Sequence, residues 1–127
     1  MKLYIPSVGD ELRLLADWEP TIQDESRNST IFEYLEIPGF DPKRWNNDMP
    51  PTKILIPAGE ILKIDRIYIR KGKDDFDSVT FLWKNRRTNP RIEHYHNGQE
   101  YRVPRQAVRF WAKLNDVNTI EFEPVQV

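Results

Sequence analysis

Hydrophobic and polar positions along this chain mostly alternate, and the alternation predicts strands. In "ELRLLADWE", Leu12, Leu14, Ala16 and Trp18 share one parity against Glu11, Arg13, Asp17 and Glu19, which reads as a half-buried strand interrupted only by Leu15. "KILIPAGEILKIDRIYIRKG" reads as two isoleucine-rich strands about a turn at Pro57, Ala58 and Gly59. The second of these has a parity fault: Leu62 and Ile64 point one way, Ile67 and Ile69 the other. A bulge near Asp65 and Arg66 would return both pairs to the core. "SVTFLW" sets Val79, Phe81 and Trp83 on one side, and "TIEFEPV" ends the chain as a strand with Ile120 and Phe122 inward. Two segments fit either period. "TIFEYLEI" is a short helix by the capping-box spacing of Thr30 and Glu33, or a strand by alternation. "AVRFWAKL" fits both as well, and its Val, Phe and Trp favour a strand. From Thr21 to Thr52 the pattern weakens into a long loop, with Phe40 and Trp45 as its anchors.

Glycines fall between these segments as punctuation, and Asn97-Gly98 is the sharpest turn signal, because both positions of a type I′ turn need positive φ. A two-residue turn there pairs His96 with Gln99, Tyr95 with Glu100, His94 with Tyr101, Glu93 with Arg102 and Ile92 with Val103. His94 and His96 then share a face, Glu100 lies on the opposite one, and Glu93 forms a cross-strand ion pair with Arg102.

The run "PAGEILKIDRIYI", then "SVTFLW", then "FWAKLNDVNTIEF" resembles the central and final strands of an SH3-like small barrel. The resemblance covers about half the chain and rests on pattern. It implies an all-β fold, a small barrel with long loop insertions at 20–52 and 85–106 and a protruding β-hairpin. The acidic loop and paired tyrosines of peptide-binding SH3 domains are absent at the start, so proline-rich peptide binding does not carry over, and the fold alone implies no function.

The 127 residues fit one domain, 1–127, with 39% hydrophobic and 12% aromatic residues to fill one core. Without cysteine there is no disulfide framework, thiolate metal site or cysteine nucleophile. No apolar run is long enough to span a membrane and "MKLYIPSVGDEL" turns polar early, which predicts a soluble, cytoplasmic protein and gives the sequon Asn28-Ser29-Thr30 no use. The net charge of −1 conceals a split: residues 1–52 carry five basic against ten acidic side chains, and residues 53–113 fourteen against seven. That basic middle shapes the choice among functions, since local field steers binding.

Catalytic chemistry is thinly represented. No nucleophile elbow, phosphate-binding loop or kinase signature is present, and the only histidines lie on the hairpin. The spacing of His94, His96 and Glu100 is similar to the first metal motif of cupins, but its glycines and the family's third histidine are missing. Asp74, Asp75 and Asp77 sit beside Lys71 and Lys73, a composition that suits a solvated loop. The fuller signal is arginine interleaved with aromatics. Arg66, Tyr68 and Arg70 share a strand face, Lys84 ends the neighbouring strand, and Arg86, Arg87 and Arg91 come next along the chain; Arg109, Trp111 and Lys113 form a second row. Guanidinium groups grip phosphates in bidentate fashion and a tyrosine offers a stacking plane. The sequence thus predicts a non-enzymatic module without cofactor, binding nucleic acid or a nucleotide on this face. A protein-protein module using Trp45 and Trp111 is the alternative, and a metal-dependent activity at His94 and His96 the third reading.

Overall fold

The computed structural model describes residues 7–41, 49–69 and 77–125. Its centre is a five-stranded antiparallel sheet in the order β8, β5, β4, β1, β9, made by β1 (Glu11–Leu14), β4 (Ile61–Tyr68), β5 (Ser78–Arg87), β8 (Ala107–Lys113) and β9 (Phe122–Pro124). Two further pairs stand apart from it: β2 (Thr21–Ile22) with β3 (Thr52–Lys53), and the hairpin of β6 (Arg91–His94) with β7 (Glu100–Val103). The fold is mainly β, but among the described residues the sheet stays open, with β8 and β9 as its edges, where the sequence reading had it closing into an SH3-like barrel.

One face of the sheet is the core. Leu12, Leu14, Leu62, Ile64, Val79, Phe81, Trp83, Val108, Phe110 and Ala112 alternate inward, and Trp18, Ile22, Ile31, Phe32, Ile54 and Ile56 cover them from the segment between β1 and β4. Trp18, Phe81 and Phe110 meet with ring centroids 5.6–6.2 Å apart. The predicted strand from Glu11 to Glu19 is shorter than its alternation suggests: it stops at Leu14, bends, and Trp18 re-enters through a bridge to Ile56. Trp18 still reaches the core because its indole Nε1 donates to the Asp116 carbonyl (3.1 Å) and Thr119 Oγ1 (3.2 Å) near α2 (Leu114–Val117).

The ambiguous segments resolve one each way. "AVRFWAKL" is the edge strand β8, whereas "TIFEYLEI" contributes to α1 (Ser29–Tyr34), entered through a 3₁₀ turn at Ser26–Asn28. Helix is favoured at α1 by its neighbours: Ile31 and Phe32 go into the core, and Asn28 and Thr30 meet the free edge of β8. The fully buried Asn28 accepts the Trp111 N–H at Oδ1 (2.7 Å) and donates from Nδ2 to the Gln23 carbonyl (2.9 Å). Thr30 Oγ1 accepts the Arg109 N–H (2.9 Å) and donates to the Arg109 carbonyl (2.8 Å). Side chains therefore satisfy the edge where a further strand would otherwise pair, which removes a template for aggregation. The sequon asparagine is a structural cap.

Candidate anion-binding groove

The predicted fault in β4 is real. Pairing to β5 runs Leu62 to Trp83 and Ile64 to Phe81, then shifts so that Arg66 meets Thr80 and Ile67 meets Val79, leaving Asp65 as the extra residue of a bulge. Ile67 packs against the core as expected, but Ile69 lies beyond the strand and is 66% exposed. Arg66 and Tyr68 are thereby placed together on the outer face, and Arg66 Nη1 donates to the Tyr68 hydroxyl at 3.2 Å. Because the bulge removes Asp65 from the regular ladder, its side chain leans toward the neighbouring arginines: Oδ2 is 3.2 Å from Arg109 Nε and 3.9 Å from Arg66 Nε.

A third guanidinium arrives from the 3₁₀ turn. Arg27 lies over the Trp111 ring at 5.4 Å and the Tyr68 ring at 6.0 Å from their centroids, and Glu25 holds it from the side with both carboxylate oxygens. Cation–π contact and a bidentate carboxylate fix this plane more firmly than either would alone. The hydrogen bond to Glu25 raises the Arg27 pKa, and that to Tyr68, helped by Asp65, raises that of Arg66; both stay charged. Together Arg27, Arg66, Arg109, Asp65, Tyr68 and Thr80 line a groove of about 450 Å³, with Ser26, Thr30 and Gln106 at its margins.

The remaining predicted basic residues are distributed differently. Arg70 and Trp45 lie outside the described residues. Lys84 Nζ binds both Glu11 oxygens at 2.8 and 3.0 Å. The pairing of β5 with β8 slips between Trp83 and Arg87, with Asn85 at φ 66° inside the slip, so strand alternation no longer directs the side chains beyond it. Arg86 turns to Glu60, which also accepts the Trp83 indole N–H at 3.0 Å. Burial pushes the Glu60 carboxyl up, but the hydrogen bonds from Trp83 and Arg86 and the charge of Arg86 outweigh it and hold the pKa below its ordinary value. Arg91 is held by Glu33 and Glu93, both at 2.8 Å, and Arg87 is exposed opposite Ala107. Trp111, a predicted interface aromatic, is only 3% exposed and serves as the floor under Arg27. Of the predicted set, then, Arg66 and Tyr68 meet in the groove, and Arg109 joins them from the second row. Arg27 was missed: it lies in a stretch with no periodicity to place it.

The histidine hairpin has a different turn from the one predicted. Tyr95 N–H bonds to the Gln99 carbonyl (2.8 Å) and Gly98 N–H to the Tyr95 carbonyl (2.9 Å), so His96, Asn97 and Gly98 form a three-residue loop closed by Gly98 at φ 84°. The register moves by one: His94 faces Glu100, Glu93 faces Tyr101 and Ile92 faces Arg102. Glu100 thus comes to the His94 side, His96 leaves the strand for the loop, and Glu93 pairs with Arg91 in place of Arg102. No group of three or more His, Asp or Glu side chains able to hold a metal ion occurs among the described residues. In the acidic loop, Asp74 and Asp75 lie outside the described residues, and the Asp77 carbonyl accepts the Leu114 N–H at 2.8 Å.

No helix among the described residues is long and apolar enough to cross a membrane. No protein-family model matches the chain, and no significant match to a curated protein or a solved structure is found.

Proposed function

We propose that this protein is a non-enzymatic binding module whose groove takes a nucleotide or nucleic acid. The observation that carries the reading is the convergence of Arg27, Arg66 and Arg109, from three separate elements, beside Tyr68 in one groove. Arginine matches phosphate in geometry as well as charge, and its plane stacks on aromatic rings and bases. The carboxylates of Glu25 and Asp65 offset two of the three charges locally, which suits a selective site of moderate affinity more than avid binding to any polyanion.

Fluorescence anisotropy with a labelled single-stranded oligonucleotide and with labelled nucleotides, across a salt series, tests this. Binding should weaken steeply with salt and fall about tenfold or more in Arg27→Ala and Arg66→Ala, each removing a charged contact. Arg86→Ala, which loses the Glu60 pair, should lower stability and leave affinity in place. Salt-independent binding, or binding indifferent to Arg27 and Arg66, would defeat the reading.

A second reading, a protein-interaction module, draws its support from the hairpin in place of Trp111. Tyr95 and Tyr101 lie 4.4 Å apart with 57% and 38% of their surface exposed. Rigid exposed tyrosines are common interface anchors. Tyr95→Ser together with Tyr101→Ser should abolish partner capture on this reading and leave nucleotide binding untouched on the first.

A further inference from the structure

We infer that the groove selects a terminal phosphomonoester, and so a 5′-nucleotide over the internal diesters of a strand, because Asp65 already occupies the anion position between Arg66 and Arg109. The inference rests on the proposed binding function and narrows its ligand. Asp65 carries a planar pair of oxygens and one negative charge, and it sits where phosphate oxygens would meet the two guanidiniums. Arg66 and Arg109 side chains are 68% and 51% exposed, so this contact is weak and exchangeable with an incoming anion.

The exchange favours one class of ligand. A phosphodiester brings one negative charge, the same as the carboxylate it displaces, so the swap adds no charge to the arginine pair. A phosphomonoester brings about −1.5 to −2 at pH 7 and three acceptor oxygens, so it wins the position. Groove size agrees: about 450 Å³ lies within the span of small-molecule sites and suits a single nucleotide. The base would lie on the Arg27 guanidinium, whose side chain is 49% exposed while Trp111, Tyr68 and Glu25 hold it in place.

Isothermal titration calorimetry on the full chain separates the possibilities, using the four ribonucleoside 5′-monophosphates, ribose 5-phosphate, and a hexanucleotide with hydroxyls at both ends. Wild-type protein should bind at least one monophosphate about tenfold more tightly than the hexanucleotide, and Asp65→Asn, which removes the competing charge, should tighten both the monophosphate and the hexanucleotide by about tenfold. A wild-type pH series gives a readout independent of any variant: monophosphate affinity should drop as pH falls through the second phosphate pKa of about 6, while that of the hexanucleotide stays level. A hexanucleotide that binds as tightly as the monophosphates, or affinities that stay unchanged in Asp65→Asn, overturns this inference and leaves the anionic-ligand reading standing. Ribose 5-phosphate binding as tightly as the nucleotides overturns the choice of a base-bearing ligand. Absence of binding by every probe overturns the proposed function along with it.

Discussion

Asn28→Ala is the sharpest test of how β8 is held. The substitution removes both polar contacts of a side chain with no exposed surface: the acceptor for the Trp111 N–H and the donor to the Gln23 carbonyl. Trp111 is itself only 3% exposed, so water cannot readily replace the lost acceptor, and a buried unsatisfied donor costs about 1–3 kcal/mol. Gln23 is half-buried, and its lost bond adds roughly 0.5–1.5 kcal/mol. The total, about 1.5–4.5 kcal/mol, is a large share of the roughly 5–15 kcal/mol that holds a domain folded. Urea unfolding should show a midpoint lower by about 1–2 M at unchanged slope. Thr30→Val removes the neighbouring cap at Arg109, but that contact is solvent-exposed, so water substitutes and the cost should stay below about 1 kcal/mol. Amide exchange gives the site-specific readout: Trp111 should lose protection in Asn28→Ala and keep it in Thr30→Val. If Asn28→Ala costs less than about 1 kcal/mol, or if the Trp111 amide stays protected without Asn28, side-chain capping of the edge is refuted.

The same geometry dictates three further outcomes. Because the folded pKa of Glu60 lies below its ordinary 4.5, its contribution is fully present above that value and is lost as pH falls through the lower folded one. The stability gap between wild type and Glu60→Gln should therefore be widest near neutrality and close in acid; a gap constant from about pH 7 to about pH 3 would contradict it. Gly98→Ala meets no neighbouring atom but must hold φ at +84°, a cost of about 1–2 kcal/mol. Since the hairpin is a separate two-stranded sheet, the loss should appear as faster exchange at Tyr95 and Gln99 with little change in global Tm. Trp18→Phe deletes the indole bonds to Asp116 and Thr119 and should lower stability by about 2–4 kcal/mol in thermal unfolding; a loss under about 1 kcal/mol would mean those bonds hold nothing.

The strands were legible where alternation is strict. Leu62, Ile64, Val79, Phe81, Val108 and Phe110 all point inward as their parity requires, and the parity fault at Asp65 foretold the bulge. Closure was not legible, because whether a sheet curls into a barrel depends on the groups that satisfy its edges. Here Asn28 and Thr30 do so from a segment whose own pattern is weak. The hairpin register failed by one residue for a similar reason: Asn-Gly suits both a two-residue turn and a three-residue loop with glycine in the left-handed position. At the site, strand parity placed Arg66 beside Tyr68. It could not foresee that Arg86 and Arg91 would turn to Glu60 and Glu33, partners 26 and 58 residues away.

One short segment joins the fold to the site. Glu25 fixes Arg27, Asn28 and Thr30 cap β8, and Ile31 and Phe32 enter the core, all within eight residues. The segment that caps the sheet edge therefore also forms one wall of the groove, with Arg27 set against Tyr68 and Trp111 beside the capping Asn28. A cap variant that weakens ligand binding would consequently say nothing about direct contact, since it loosens the wall carrying Arg27. Arg66 and Arg109 are different. Their exposed side chains project from strands whose inward neighbours Ile64, Val108 and Phe110 remain packed without them, so a loss of affinity in Arg66→Ala or Arg109→Ala at unchanged stability reports on the ligand itself.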